Sequence, residues 1–441
     1  MKVGFIFLGC PKNTVNGEQM VYLVKQAGHE IVTAPEQADA VIINTCAFIE
    51  SAIQEAINNI LEVAQWKAEG KIKYIVVTGC LAQRFKDEIL QDLPEVDALL
   101  GISSYGQICE VLENLNDESP VLAFRDKNGP VEEIDRVVST GKNYAYLRIA
   151  EGCNNCCTFC IIPKIRGRYR SRSMDAIVKE AESLVAQGYT ELILIAQDVT
   201  RYGEDLYGQR ALPTLLRRLC AIEGLGWLRL HYLYPEAFSD ELIDLIASEP
   251  KIVKYMDIPL QHINDNILKA MNRHGTGEDI RNLITKLRER IPGVVLRTSL
   301  IAGLPGEGEE EFEELCDFLR QAKIERAGVF PYSPEDGTAA ALMPRVDKEV
   351  AEHRAELIQE IQAQIMEEYS NNQIGETIDV LFEDIDPVSG FGIGRSQADS
   401  PDIDWQVFFD DWAGYHPGQI IPVFIKDTDD GDLIGSAVQE S

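Results

Sequence analysis

The sequence predicts an α/β protein in three parts: an N-terminal open parallel sheet, a central partial β/α barrel and a small C-terminal antiparallel β-barrel. Three observations carry this. Residues 1 to about 105 alternate strand-like apolar runs (FIFLGC, VIINTC, YIVVTGC) with helix-like segments, the signature of a parallel sheet. Between 141 and about 340 six more such runs alternate with helices: YAYLRIA, ELILIAQ, WLRLHYL, YMDIPLQ, VVLRTSLIAG and AGVFPYS. Six β/α units are too few to close a full barrel. Beyond Gly375 come the short runs TIDVLFED, GFGIGRSQ, WQVFFDD and QIIPVFIKD, which read as a small β-barrel. The expected bounds are 1–115 for the first domain, 116–140 for a linker with one strand at VLAF, 141–370 for the barrel with a long connecting helix, and 371–441 for the last domain.

Composition narrows the class. A chain of 441 residues can hold two or three cores, and 45% hydrophobic with 26% charged residues is the balance of a globular protein. The apolar run at the N-terminus is cut short by Lys12 and Asn13, so it reads as a strand rather than a signal. No other stretch approaches the roughly 18 apolar residues that span a bilayer, and a cytoplasmic protein with no membrane partner is expected. In that compartment ten cysteines are metal ligands or buried thiols rather than disulfides. The formal charge of −31 repels a phosphate backbone and favours a basic protein as partner.

The cysteines carry the chemistry. Cys10, Cys46 and Cys80 each end a strand-like run, and in an open parallel sheet the carboxyl ends share one edge, where ligands bind. Three separate buried cysteines is the bland alternative. Cys153, Cys157 and Cys160 form a second set, C-x3-C-x2-C, after the first strand of the partial barrel. Three thiolates on a four-iron cubane leave one iron open to another ligand. Cys156 admits a rival, a four-thiolate zinc site, but neighbours on an extended chain point their side chains apart. Cys109, Cys220 and Cys316 lie in helix-like apolar settings and read as core.

Around the barrel mouth, Gln197 and Asp198 follow the second strand, and Gly303, Pro305 and Gly306 form a tight turn after the fifth. Arg148, His231, Tyr234, Gln261, His262 and Arg297 fall near strand ends, as ligand contacts or as packing partners. Arg297 ranks first, because a fixed cation can pair with a carboxylate. Lys164, Arg166, Arg168, Arg170 and Arg172 alternate along one segment, which an extended chain would turn to one side as a solvated face or a carboxylate contact.

The C-x3-C-x2-C array resembles the signature of radical S-adenosylmethionine (SAM) enzymes. With LGCPKNTVNGE, IINTCAFIESA and VVTGCLAQR, nearly the whole chain is similar to the methylthiotransferases of that superfamily. The resemblance implies two [4Fe-4S] clusters, on Cys10, Cys46 and Cys80 and on Cys153, Cys157 and Cys160, with Cys156 a non-ligand. It also implies SAM in a pocket lined by Phe159, Gln197, Asp198 and the Gly303 turn, together with an external electron donor and a sulfur donor. One SAM would methylate sulfur at the first cluster; another, cleaved at the second, would abstract hydrogen from the substrate. Asn16 and Gly17 stand where the family usually has aspartate and serine.

In several members the last domain, called TRAM, binds tRNA and is basic. Here residues 375–441 hold 15 acidic residues against Arg395 and Lys426, a net charge of −13. The stretch GRSQADSPDID, Gly394 to Asp404, resembles the branch that modifies an aspartate of a ribosomal protein, the twelfth of the small subunit, at the decoding centre. Ser400 and Trp405 replace the more usual alanine and glycine. The expected function is radical methylthiolation of the β-carbon of that aspartate. The alternatives are the same chemistry on a tRNA adenosine, and a non-catalytic iron–sulfur or zinc protein that docks on ribosomes.

Overall fold

The computed structural model describes residues 1–116, 118–141 and 143–439; Asp117, Lys142, Glu440 and Ser441, which fall in the ranges expected for the linker, barrel and last domain, lie outside the described residues. The first runs pair into one parallel sheet of β1 (Lys2–Phe7), β2 (Glu30–Val32), β3 (Ala40–Thr45), β4 (Tyr74–Gly79), β5 (Ala98–Leu100) and β6 (Val121–Ala123), in the order 2-1-3-4-5-6. Every residue of β3 and β4 is buried, as helices on both faces of a parallel sheet require. The winding reverses between β1 and β3, and that switch point opens a crevice at the carboxyl ends of the strands.

Residues 116–140 are built into the fold. β6 completes the first sheet, and Arg136 bridges Glu18 of the first helix (Pro11–Gln26) to Glu180, 2.7 Å away on the helix Met174–Ala186. Ser139 donates its backbone N–H to Glu18 over 2.6 Å. The expected linker therefore fastens the first two parts together.

The second sheet begins with β7 (Tyr144–Arg148), followed by the small antiparallel pair β8 (Ala150–Glu151) and β9 (Arg170–Ser171). It continues through β10 (Glu191–Ile195), β11 (Trp227–Leu230), β12 (Ile252–Asp257), β13 (Val295–Ala302) and β14 (Arg326–Pro331). All six main strands are parallel, in the order 14-13-12-11-10-7, at the places the sequence predicts. Ala145, Leu147, Leu192, Leu194 and Leu228 pack under the helices. Because side chains alternate, Tyr144, Glu191, Arg229, Tyr255 and Arg326 turn to the opposite face.

The last part is a closed barrel of β15 (Thr377–Ile385), β16 (Gly392–Ser396), β17 (Val407–Asp410), β18 (Ile420–Asp429) and β19 (Asp432–Ala437). Four strands coincide with the predicted runs. β19 was not predicted, because DLIGSA is short and glycine-interrupted, and it pairs parallel to β17, so the barrel is not wholly antiparallel.

Most of the stretch Gly394–Asp404 packs on the face of the second sheet opposite the cluster of Ala145, Leu147, Leu192, Leu194 and Leu228. Arg395 pairs with Glu191 at 2.7 Å and Glu383 at 2.8 Å, and Glu191 also holds Arg229 at 2.6 Å. Arg326 pairs with Asp399 at 2.8 Å, Tyr255 donates to Asp404 at 2.6 Å, and Tyr144 donates to Asp402 at 2.9 Å. The two departures from the family stretch belong to the same contact: Ser400 lies 3.0 Å from His231, and Trp405 covers the Arg326 guanidinium at 4.7 Å.

Two outcomes follow from this buried contact. Removing one partner of a buried ion pair costs about 3–5 kcal/mol, so Arg395→Met is expected to lower the unfolding free energy by about that amount in a denaturant titration. Burial pushes the His231 pKa down to about 3, so its folded value lies below the ordinary ~6.5. Its contribution to stability is complete above about pH 6.5 and is lost as pH falls towards 3. His231→Gln should flatten that part of the stability–pH curve.

Candidate functional site

Cys46 and Cys80 directly follow β3 and β4, and Cys10 stands three residues past β1, at the start of the Pro11–Gln26 helix. Two glycines let these loops close on one another. At Gly9 (φ +88°) a Cβ would stand 2.7 Å from the Cys46 Cβ, and at Gly79 (φ +95°) one would stand 2.4 Å from the Thr45 carbonyl oxygen. Only glycine fits such positions. Asn13 ties the loops together: its Nδ2 donates to the Thr45 carbonyl at 2.8 Å, and its own carbonyl accepts from Asn44 at 2.6 Å.

The three thiols feel one another. Burial, then Cys80 and Cys10, push the Cys46 thiol up to about 12. Burial alone would also raise Cys10, but Lys12, Arg166 and the backbone amides of Asn13 and Lys12 outweigh it and hold that thiol below its ordinary value. Among the described residues no three histidine, cysteine or acidic side chains are gathered tightly enough for a single metal ion. An all-sulfur set of three, drawn from three loops, instead suits separate corners of a larger soft group such as an iron–sulfur cubane. Asn44 Oδ1 and Thr78 Oγ1 are buried beside it without a hydrogen-bond partner.

Cys153, Cys157 and Cys160 lie on the loop between β8 and the short helix Ile162–Arg166. Cys156 takes a left-handed conformation (φ +51°) and is exposed, whereas Cys153 and Cys157 are buried and Cys160 is partly so. That turn separates the neighbours and leaves Cys156 exposed, apart from the buried Cys153 and Cys157. Burial pushes Cys153 up to about 11 and Cys160 up to about 12, and nearby thiols add to both. Cys157 Sγ lies 3.7 Å from the Tyr234 hydroxyl and 3.8 Å from Arg273 Nη1, and the Arg273 guanidinium stacks on the Tyr234 ring at 4.5 Å.

One buried ion pair connects the two sets. Arg166 Nη1 donates to Glu151 Oε1 at 2.9 Å, while its Nη2 donates to Asn13 Oδ1 and lies 3.4 Å from Cys80 Sγ. Glu151, two residues before Cys153, also accepts from Gln197 at 3.0 Å and Arg148 at 3.2 Å, and Arg148 in turn donates to Asn16. Burial would raise the Glu151 carboxyl, but Arg166 and Arg148 overcome it and hold it at about 2. Lys12 reaches across to the Ala196 carbonyl at 3.3 Å and lies over the Tyr232 ring.

The basic segment is therefore no single face. Residues 162–166 coil into a helix, Arg166 and Arg172 turn inward to ion pairs, and Lys164 and Arg168 stay exposed. Asp198 is fully buried, accepting from Asn155 at 2.9 Å and Thr200 at 2.5 Å, so it braces the cysteine loop. Gln197 is tied to Glu151 through Nε2, and its Oε1 is buried without a partner. Phe159 packs beside Ile267, Met271 and Leu304. Arg297 pairs with Asp257 at 2.9 Å. At Gly303 a Cβ would stand 2.3 Å from Ala351, so the bare backbone admits the long helix Lys348–Asn371. Both departures fall in the first helix: Gly17 makes room for the Phe7 ring, and Asn16 accepts from Arg148.

Glu151, Arg273, Lys12 and Asn13 were not read from sequence as site residues. Glu151 carried a signal, a lone acid closing an apolar strand directly before the cysteine loop. Arg273, in NRHGT after a helix, carried none.

These features define the class: a radical SAM fold joined to a second parallel sheet and a TRAM barrel. The family model described as "Radical SAM superfamily" matches residues 147–319, "Uncharacterized protein family UPF0004" matches 2–101, and "TRAM domain" matches 374–438. TsrM, a radical S-adenosylmethionine methyltransferase from Kitasatospora setae, has the same fold with a TM-score of 0.55 at 15% identity, over 76% of this chain and 74% of that one. A protein of Acetivibrio thermocellus named ribosomal protein uS12 methylthiotransferase RimO is 46% identical over 100% of this chain and 99% of its own length. The protein of the same name from Lachnoclostridium phytofermentans is 47% identical over 99% and 100%. The chain belongs to the RimO family of methylthiotransferases.

In protein purified without metal, Cys10 should be alkylated by iodoacetamide at lower pH than an ordinary thiol, while Cys46 and Cys80, whose values burial raises, stay protected at neutral pH. Peptide mass spectrometry across a pH series reads this directly.

Proposed function

We propose that the chain methylthiolates the β-carbon of an aspartyl side chain in ribosomal protein uS12, with SAM and two [4Fe-4S] clusters held by Cys10, Cys46 and Cys80 and by Cys153, Cys157 and Cys160. The observation that carries this reading is identity of 46–47% to RimO proteins over essentially the full length of both chains. The placement of both thiol sets about one ion pair supports it. When bound, the clusters and SAM supply the one-electron chemistry that an unactivated C–H bond demands and a place to hold the sulfur.

The chain's own residues set the stage. Asp198, through Asn155, fixes the loop of Cys153, Cys157 and Cys160, and Tyr234 and Arg273 crowd its middle thiol and exclude water. Phe159 offers an apolar wall for an adenine, and Arg297 is a cation for a ligand carboxylate. Glu376, Asp379, Asp384, Asp411, Asp427, Asp429 and Asp430 remain exposed on the last barrel, a surface that attracts a basic protein and repels phosphates. The enzyme acts in the cytoplasm on this basic protein of the small-subunit decoding centre, with an electron donor and a sulfur donor supplied from outside. Among the described residues no helix is long and apolar enough to cross a membrane.

Anaerobic incubation of reconstituted enzyme with SAM, sulfide and reductant should add a methylthio mass to an aspartate of uS12 and none to tRNA. Addition to tRNA instead would overturn the substrate. Iron content should fall by about half when Cys10, Cys46 and Cys80 are changed to alanine, and stay unchanged in Cys156→Ala.

A further inference from the structure

We infer that Arg166 is a positioning residue that raises the reduction potential of the centre on Cys10, Cys46 and Cys80, and that Glu151 holds it there while tempering its charge. The inference rests on the reading that these three cysteines carry an iron–sulfur cluster. Its basis is a juxtaposition: a guanidinium buried to 1% exposure lies 3.4 Å from one of the three sulfurs, with its other arm on a carboxylate two residues from the second cysteine set.

The physical argument concerns which redox state the neighbourhood favours. A cluster gains one negative charge when it takes an electron, and hydrogen bonds to its sulfurs together with a nearby fixed cation stabilise that state and raise the potential. No solvent screens Arg166, and Asn13 and Glu151 fix its orientation, so the effect is not averaged away. Lys12 is a second cation near these thiols and acts most on Cys10, with its ammonium held by the Ala196 carbonyl and the Tyr232 ring. The Glu151 carboxylate acts in the opposite sense on the first set, where it raises the Cys80 thiol and pairs with Arg166.

The test is a dithionite titration followed by electron paramagnetic resonance in full-length protein carrying Cys153→Ala, Cys157→Ala and Cys160→Ala, so that only the first centre is read. Arg166→Gln should lower the reduced-to-oxidised ratio at fixed potential at least tenfold, about 59 mV for a one-electron couple. Arg166→Lys should restore most of that shift, and Glu151→Gln should move the ratio the other way. An unmoved potential in Arg166→Gln with cluster content intact overturns the inference, as does a shift of the same sign in Glu151→Gln. Should Arg166→Gln not fold, the Lys and Glu151→Gln variants decide it alone. If the triply substituted protein binds no cluster at all, the assignment of the first centre fails, and the inference falls with it.

Discussion

The Glu151–Arg166 pair is the interaction on which the arrangement of the two sheets depends. Taking two charges out of water costs several kcal/mol per ion, and their attraction repays this only where the remaining donors and acceptors are also satisfied. Here Arg148, Gln197 and Asn13 meet that condition. Each comes from a different element: the end of β7, the loop after β10 and the first helix. The pair is therefore satisfied only when those elements are together, and its cost becomes a condition on assembly. Arg136 and Glu18 repeat the device at the rear of the same junction.

A second constraint comes from topology. In both parallel sheets the loops after the strands gather along one edge, so residues far apart in sequence arrive there without further specification. Cys10, Cys46 and Cys80 are brought together by the winding of one sheet, and the loop after β8 is brought to them by the other. The glycines at 9 and 79 permit the last few ångströms of approach. Side chains with bulk at those two points would hold the thiols apart whatever the rest of the sheet did.

The stretch Gly394–Asp404 changes how the branch of the family is understood in this chain. Read as sequence it marks substrate choice. In the structure its charged and hydroxyl groups are largely paired with the second sheet, where Arg395, Asp399, Ser400 and Asp404 meet Glu191, Arg326, His231 and Tyr255. The marker thus fixes the position of the last barrel, and the acid left for a partner lies on the barrel's outer strands.

Strand positions and cysteine sets were legible in the sequence because both are local: apolar runs of fixed period, turn residues between them, and thiols at set distances from strand ends. The same locality gave six parallel strands in the second part and four of five in the last. What lay beyond reach was pairing. The alternation of Lys164, Arg166, Arg168, Arg170 and Arg172 fits an extended face equally well, yet Lys164 and Arg166 fall in a helical turn and two of the cations turn inward because their carboxylates, Glu151, Glu133 and Glu180, wait on other elements. The contacts of Asp198 with Asn155 and of Gly303 with Ala351 also join separate elements, and sequence did not show them. Sequence alone determined the elements and the soft donors; the tertiary structure decided which buried charge meets which, since the partners lie on separate elements, 15 residues apart for Glu151 and Arg166 and 204 for Glu191 and Arg395.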